Sequence, residues 1–222
     1  MTRLVFLLVV LVVAIAVIAG LRHAGAGVRP VLAIVFAYLA IPGHLARTRA
    51  LEAWDATPPP PLLLVLGLTA LTVLIVFSVL GARLADGIPL AALVVLQSFR
   101  IPVEWVLHRL ALEGAAPVAM SWSGRNFDIV SGVTGLLLGL TLLRGARVSR
   151  GVVLGWNILG LALLANIVVV AVLATPVFHR FGAPTNVLPS EFPWIWLPSF
   201  LVQVALGSHL LVFRRLRRAE EA

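Results

Sequence analysis

Apolar residues run along this chain in long blocks, and polar residues collect in short gaps between them. Seven blocks approach the length of about 20 residues that a helix needs to cross a bilayer. They are 4–21, 29–46, 62–82, 88–111, 127–144, 151–175 and 193–213. The second is the weakest, interrupted by Pro42 and Gly43. The longest gap, 47–61, closes on Pro58, Pro59, Pro60 and Pro61, a stiff extended spacer. The pattern predicts an all-α fold, a polytopic transmembrane helix bundle of seven spans making one transmembrane domain over residues 1–222. Arg3 before the first block, and Ala24, Gly25 and Ala26 after it, are also features of a signal peptide. The apolar stretch is long for such a peptide and favours an uncleaved first span.

Composition supports the same class. The chain is 61% hydrophobic and 12% charged, where soluble domains carry about 25% charged residues. Too little polar surface is available to cover a soluble globule. The net charge of +8 comes from arginine, because lysine is absent. That excludes lysine Schiff-base chemistry. The arginines sit at block ends, as in membrane proteins, so the basic charge points to a bilayer and not to nucleic acid. Cysteine is absent as well, which excludes disulfides, thiol nucleophiles and Cys-ligated metals. With the C-terminus inside, the inner ends hold ten arginines and the outer ends five, leaving aside Arg100 and Arg109 within the fourth block. This predicts N-out, C-in in a bacterial cytoplasmic (inner) membrane.

Small residues mark two spans. Ser131, Gly135 and Gly139 are spaced by four, as are Gly151 and Gly155, with Ala162 and Asn166 on the latter face. Such stripes let helices approach closely, and they predict tight packing of spans five and six. Two tryptophans, Trp194 and Trp196, open the seventh span and read as an interfacial belt.

Candidate chemistry centres on residues 97–128. On a helix, Gln97, Arg100, Glu104 and His108 share an arc of about 80°. Polar groups inside a span must face other helices or a water-filled cavity. Arg100 and Glu104 are four apart, so their heads are expected to pair. Pro102 frees the carbonyl of Ser98 and predicts a kink. Arg125, Asn126 and Asp128 lie at the outer mouth of span five, with Asp128 expected to cap the helix. Asn166, Asn186 and Glu191 fall on the same outer side. Asn157 lies on the opposite face of span six from Asn166. These residues, Gln97, Arg100, Glu104, His108, Arg125, Asn126, Asp128, Asn166, Asn186 and Glu191, form the candidate ligand-binding set. Glu104 and His108 have a spacing that suits two metal ligands, with Asp128, His179 or Glu191 as a third. No second histidine on that face and no HExxH motif supports it, so no metal is expected. His23, His44 and His209 lie near span ends and are expected at the interface or in solvent. No phosphate loop and no nucleophile elbow occurs, and no cofactor is expected.

Several short motifs carry a resemblance. They are Arg100-Ile101-Pro102-Val103-Glu104, Gly124-Arg125-Asn126-Phe127-Asp128-Ile129, Trp156-Asn157, Asn166-Ile167-Val168 and Phe192-Pro193-Trp194, with Trp196-Leu197-Pro198. Over about residues 97–213 the chain resembles a family of small, uncharacterised bacterial multi-pass membrane proteins. That family often has threonine, phenylalanine and glutamate where this chain has Ser121, Trp122 and Ser123, so a role for that glutamate does not carry over. The resemblance implies an integral membrane protein and supplies no activity.

Three functions fit these residues. The first is a membrane binding protein or carrier whose pocket opens outward, with the bilayer and a small polar or anionic molecule as partners. Arg100 would attract that molecule, Glu104 would balance Arg100 and carry a proton, and His108 and Asp128 would stand at the mouth. The second is a membrane enzyme acting on a lipid or isoprenoid head group, with Glu104 and His108 as acid and base. The third is an accessory subunit whose polar stripe meets a partner. Since cysteine is absent, single introduced cysteines report the orientation. Those in 47–57, 114–124 and 180–190 should react with an impermeant thiol reagent in intact cells, and those in 145–150 and 215–222 should not. The reverse pattern inverts the orientation.

Overall fold

In a bilayer the backbone must satisfy its own hydrogen bonds, so long apolar runs become helices. The computed structural model describes residues 1–221, and Ala222, the last residue of the expected domain, lies outside the described residues. It contains helices and no strand among the described residues. Among the described residues six helices are long and apolar enough to cross a membrane: Thr2–His23, Val28–Arg47, Pro60–Phe77, Leu90–Leu112, Arg150–Leu173 and Leu197–Arg218. Asp128–Leu143 is a shorter apolar helix of 16 residues. We label the regular helices α1 (Thr2–His23), α2 (Val28–Arg47), α3 (Pro60–Phe77), α4 (Val79–Gly87), α5 (Leu90–Leu96), α6 (Arg100–Leu112), α7 (Asp128–Leu143), α8 (Arg150–Leu173) and α9 (Val202–Glu221).

The expected third span, 62–82, is broken at Ser78. There the backbone turns extended, and the Ser78 hydroxyl accepts from the amides of Leu80 and Gly81, capping α4. A Cβ on Gly81 would overlap the Val76 carbonyl, so the break requires glycine there. The carbonyls that this break exposes are claimed from α9. Arg214 donates to Val76 O and Ser78 O, and Arg215 donates to Ala85 O and Ile88 O. Arg218 also pairs with Asp86 at 3.3 Å. The arginines at this end of the chain thus close helix ends.

The expected fourth span is continuous but irregular. A 3-10 turn, Gln97–Phe99, joins α5 to α6 just before Pro102, where the proline was expected to disturb the helix. A π-turn over Leu197–Leu201, containing Pro198, leads into α9, so the last helix starts and ends later than the expected 193–213.

Glycines set the closest helix approaches; α7 and α8 pack closely as expected, but through Gly135 and Gly160 and not through Gly151 and Gly155. On α7, an added Cβ at Gly139 would lie 2.6 Å from Val95 Cβ. At Gly135 it would lie 3.2 Å from Gln97 Cβ, and at Gly132 3.2 Å from Arg100 Cβ. The α7 stripe therefore packs on α5 and α6, and at Gly135 also on α8, where the added Cβ would lie 3.1 Å from Trp156 Cζ2. Gly151 and Gly155 of α8 have nothing within 4 Å, so their stripe faces outward and does not hold spans five and six together. The contact glycine of α8 is Gly160, where a Cβ would meet Ser131 Oγ at 2.8 Å and His209 Cε1 at 2.5 Å.

The first helices are joined to the rest by apolar packing of Phe6, Val9, Val10, Val13 and Val35 in the main core, and by contacts of two tryptophans. Trp196 Nε1 donates to Leu39 O at 2.8 Å, and the Trp194 ring packs 5.0 Å from that of Phe6. Both tryptophans are half-buried against α1 and α2. Gln203 of α9 bonds to Thr69 and Thr72 of α3, which gives the third span a polar seam.

The glycine geometry predicts opposite outcomes. Gly139→Ala should lower the thermal unfolding temperature in detergent, because overfilling a close contact costs about 1–3 kcal/mol. Gly155→Ala should be neutral or gain up to about 1 kcal/mol from helix propensity. Equal shifts for the two would remove the distinction between the stripes.

Candidate functional site

The site is organised by a short loop. Residues 118–127 fold back on themselves through bonds from Arg125 N to Ala119 O at 3.0 Å and from Gly124 N to Ser121 O at 2.9 Å. This places Asn126, fully buried, at the start of α7. Its Oδ1 accepts from Asp128 N at 3.0 Å. Its Nδ2 donates to Glu104 Oε1 and Oε2, each at 2.7 Å, and to Met120 O at 3.0 Å. Asn126 therefore makes the bond expected of a cap, and Asp128 does not. Asp128 is the first residue of the helix, and its carboxylate is turned inward.

That carboxylate meets Arg100. Arg100 Nη1 donates to Asp128 Oδ1 at 2.7 Å, to Ser131 Oγ at 2.8 Å and to Gly160 O at 3.2 Å. Arg100 is 2% exposed and Asp128 5%. The expected pairing of Arg100 with Glu104 is thus replaced by two separate pairs, Arg100 with Asp128 and Glu104 with Asn126. Spacing of i, i+4 permits a pair within α6, but the close approach of α7 at Gly132 offers Arg100 a carboxylate and a hydroxyl together. Asp128 does not stand at an exposed mouth, as expected; it is buried in the centre of the network.

Arg100 has five N–H donors. Its Nε and Nη2 have no hydrogen-bond partner among the described residues, although the side chain is buried. Arg100, Glu104 and Asp128 line a cavity of about 100 Å³. Its walls are otherwise mainly apolar, with Leu62 and Val65 from α3, Leu164, Val168 and Val172 from α8, and Leu201 at the end of the π-turn. Asn186, 2% exposed, completes the polar edge. It donates to Ala171 O at 3.0 Å, and its Oδ1 has no partner.

Other candidates lie elsewhere. Gln97 is buried and donates to Ala205 O at 3.2 Å, outside the lining. His108 stacks on Trp122 at 4.3 Å, with Ser123 Oγ 3.4 Å from Nδ1, and does not reach the cavity. Arg125 is exposed and lies over the Phe181 ring. Asn166 is half-buried and ties α8 to the loop by donating to Arg125 O at 2.8 Å. Glu191 is exposed in a separate surface depression with Arg3, Arg47, Arg49 and Glu52. Partial burial, with the Glu52 charge beside it, pushes the Glu191 carboxyl above its ordinary range. Among the described residues no three His, Asp or Glu side chains converge as a metal site.

Four residues enter the site region unexpectedly: Ser131, Asn157, Gly160 and His209. Asn157 Nδ2 donates to His209 O at 3.0 Å, so its Oδ1, 2.7 Å from His209 Nδ1, accepts from that ring nitrogen. Both residues are fully buried. His209 was expected at an interface because the seventh span was placed to end at 213. The helix continues past it, which carries the imidazole into the bundle beside Trp156. Its Nε2, the acceptor of that tautomer, has no partner. The signal available in sequence was an imidazole inside an apolar block.

Residues 58–217 match a family described as a domain of unknown function (DUF8737). The matched region contains the whole Arg100 network and leaves out α1 and α2. No curated protein and no solved structure matches the chain.

The Arg100–Asp128 pair predicts a non-additive cycle. Arg100→Met or Asp128→Leu alone leaves a buried charge and should each cost about 3–5 kcal/mol, whereas the double variant should be near neutral. The check is unfolding in detergent for the singles and the double. Additive losses would mean that the pair is not coupled.

Proposed function

The chain belongs to this family of unknown function, and we propose that it is a binding protein or carrier for a small polar or anionic molecule held at Arg100. The observation that carries this reading is the buried guanidinium with two unpartnered nitrogens on a cavity wall. A buried donor without an acceptor costs free energy, and a bound ligand's acceptor recovers it. Glu104, held by Asn126 on the same wall, is the carboxyl available to carry a proton. His108 faces Trp122, which leaves an acid–base mechanism for Glu104 without its second member.

In this reading the protein is a seven-span bundle of a bacterial cytoplasmic membrane, N-out and C-in, with the cavity toward the outer side. α7 is the shortest crossing, about 24 Å at 1.5 Å per residue. The grouping of helix ends supports seven crossings. Thr2 bonds to Glu113 and Arg3 to Phe192 O at one end, and Arg214 bonds to Ser78 O at the other. The arginine excess at 144–150 and 214–218 supports the orientation.

The test is native mass spectrometry of protein purified from its own membranes in mild detergent, beside the Arg100→Met/Asp128→Leu double variant. The wild type should retain a small molecule that the double variant loses. No retained molecule, or the same one in a double variant that folds like the wild type, overturns the reading.

A further inference from the structure

We propose that the molecule held at Arg100 is uncharged and bilayer-soluble, that it presents a carbonyl oxygen to Nε and Nη2, and that it arrives sideways between α3 and α8. This rests on the reading of Arg100 as a binding residue and narrows it.

Charge decides the class of ligand. Asp128 matches Arg100 at 2.7 Å, and Glu104 is a second carboxyl on the same wall. Whether Glu104 is charged or neutral, the three groups sum to zero or to minus one. No surplus positive charge is left to draw an anion out of water. The unpartnered guanidinium nitrogens still require an acceptor, and a neutral carbonyl supplies one without adding a charge.

The walls decide the rest of the molecule. Of 23 residues lining the cavity, only Arg100, Glu104, Asp128, Thr175 and Asn186 are polar or charged. An apolar lining with a few converging polar groups is the pattern of a site for a largely apolar ligand. The rim decides the route. Leu62 and Val65 of α3, and Val168 and Val172 of α8, line the cavity and are each half-exposed on helices that present apolar faces outward. A room of about 100 Å³ holds a head group and little more, so a chain attached to it lies along this rim toward the acyl region.

The experiment measures thermal unfolding of the full chain in nanodiscs of uncharged lipid. Four probes are added at equal concentration: 2-dodecanone, dodecane, sodium dodecanoate and sodium acetate. The ketone should raise the unfolding temperature, and the other three should not. Two variants should weaken the ketone's apparent affinity at least tenfold. Val168→Phe blocks the rim and keeps the Arg100 network, and Arg100→Met/Asp128→Leu removes the donors. No shift with the ketone, or a ketone shift that both variants keep, overturns the inference. An Arg100-dependent shift with dodecanoate or acetate overturns it and leaves the binding reading standing. Native mass spectra in which the wild type retains no molecule bring down both.

Discussion

A guanidinium enclosed by helices must be matched by negative charge and by acceptors, or its desolvation is uncompensated. Arg100 meets that requirement with a carboxylate from α7, a hydroxyl one turn further along α7, and a backbone carbonyl of α8. Three helices must converge on one nitrogen, and the surrounding sequence is consistent with that demand. Gly132 lets α7 reach the backbone of α6, and Gly160 lets α8 meet Ser131 and His209. Asn126 takes over the helix start so that Asp128 is free to turn inward. The loop 118–127 then has a structural purpose, since its folding delivers Asn126 to Glu104 and Asp128 at once.

A second constraint is the satisfaction of backbone groups where helices break. In an apolar surround an exposed carbonyl needs an internal partner. The breaks at Ser78 and around Ile88 have theirs in Arg214 and Arg215. The arginines of α9 hold the irregular middle of the chain against its last helix. The polar stripe of α6 is therefore held in a frame fixed at both ends, by the loop 118–127 on one side and by the α9 arginines on the other. Against that degree of matching, the unpartnered nitrogens of Arg100 and the free Oδ1 of Asn186 stand out as places where matching stops.

The sequence by itself determined the membrane class, the helical fold and the positions of most helices. Hydropathy over some 20 residues is a local property, and partition into lipid responds to that property directly. It also marked residues 97–128 as the polar centre, because charges inside an apolar block are conspicuous wherever they finally point. The tertiary structure decided which groups meet. Spacing along α6 allowed Arg100 and Glu104 to pair, but Asp128 is the partner because α7 brings it with Ser131 into reach. Two glycine stripes look alike in sequence, yet the one at Gly135 and Gly139 is packed and the one at Gly151 and Gly155 is bare. His209 changed from a surface residue to a buried one because α9 extends further than its apolar block. Pairing and packing depend on contacts between residues far apart in the chain, and local hydropathy carries no information about them.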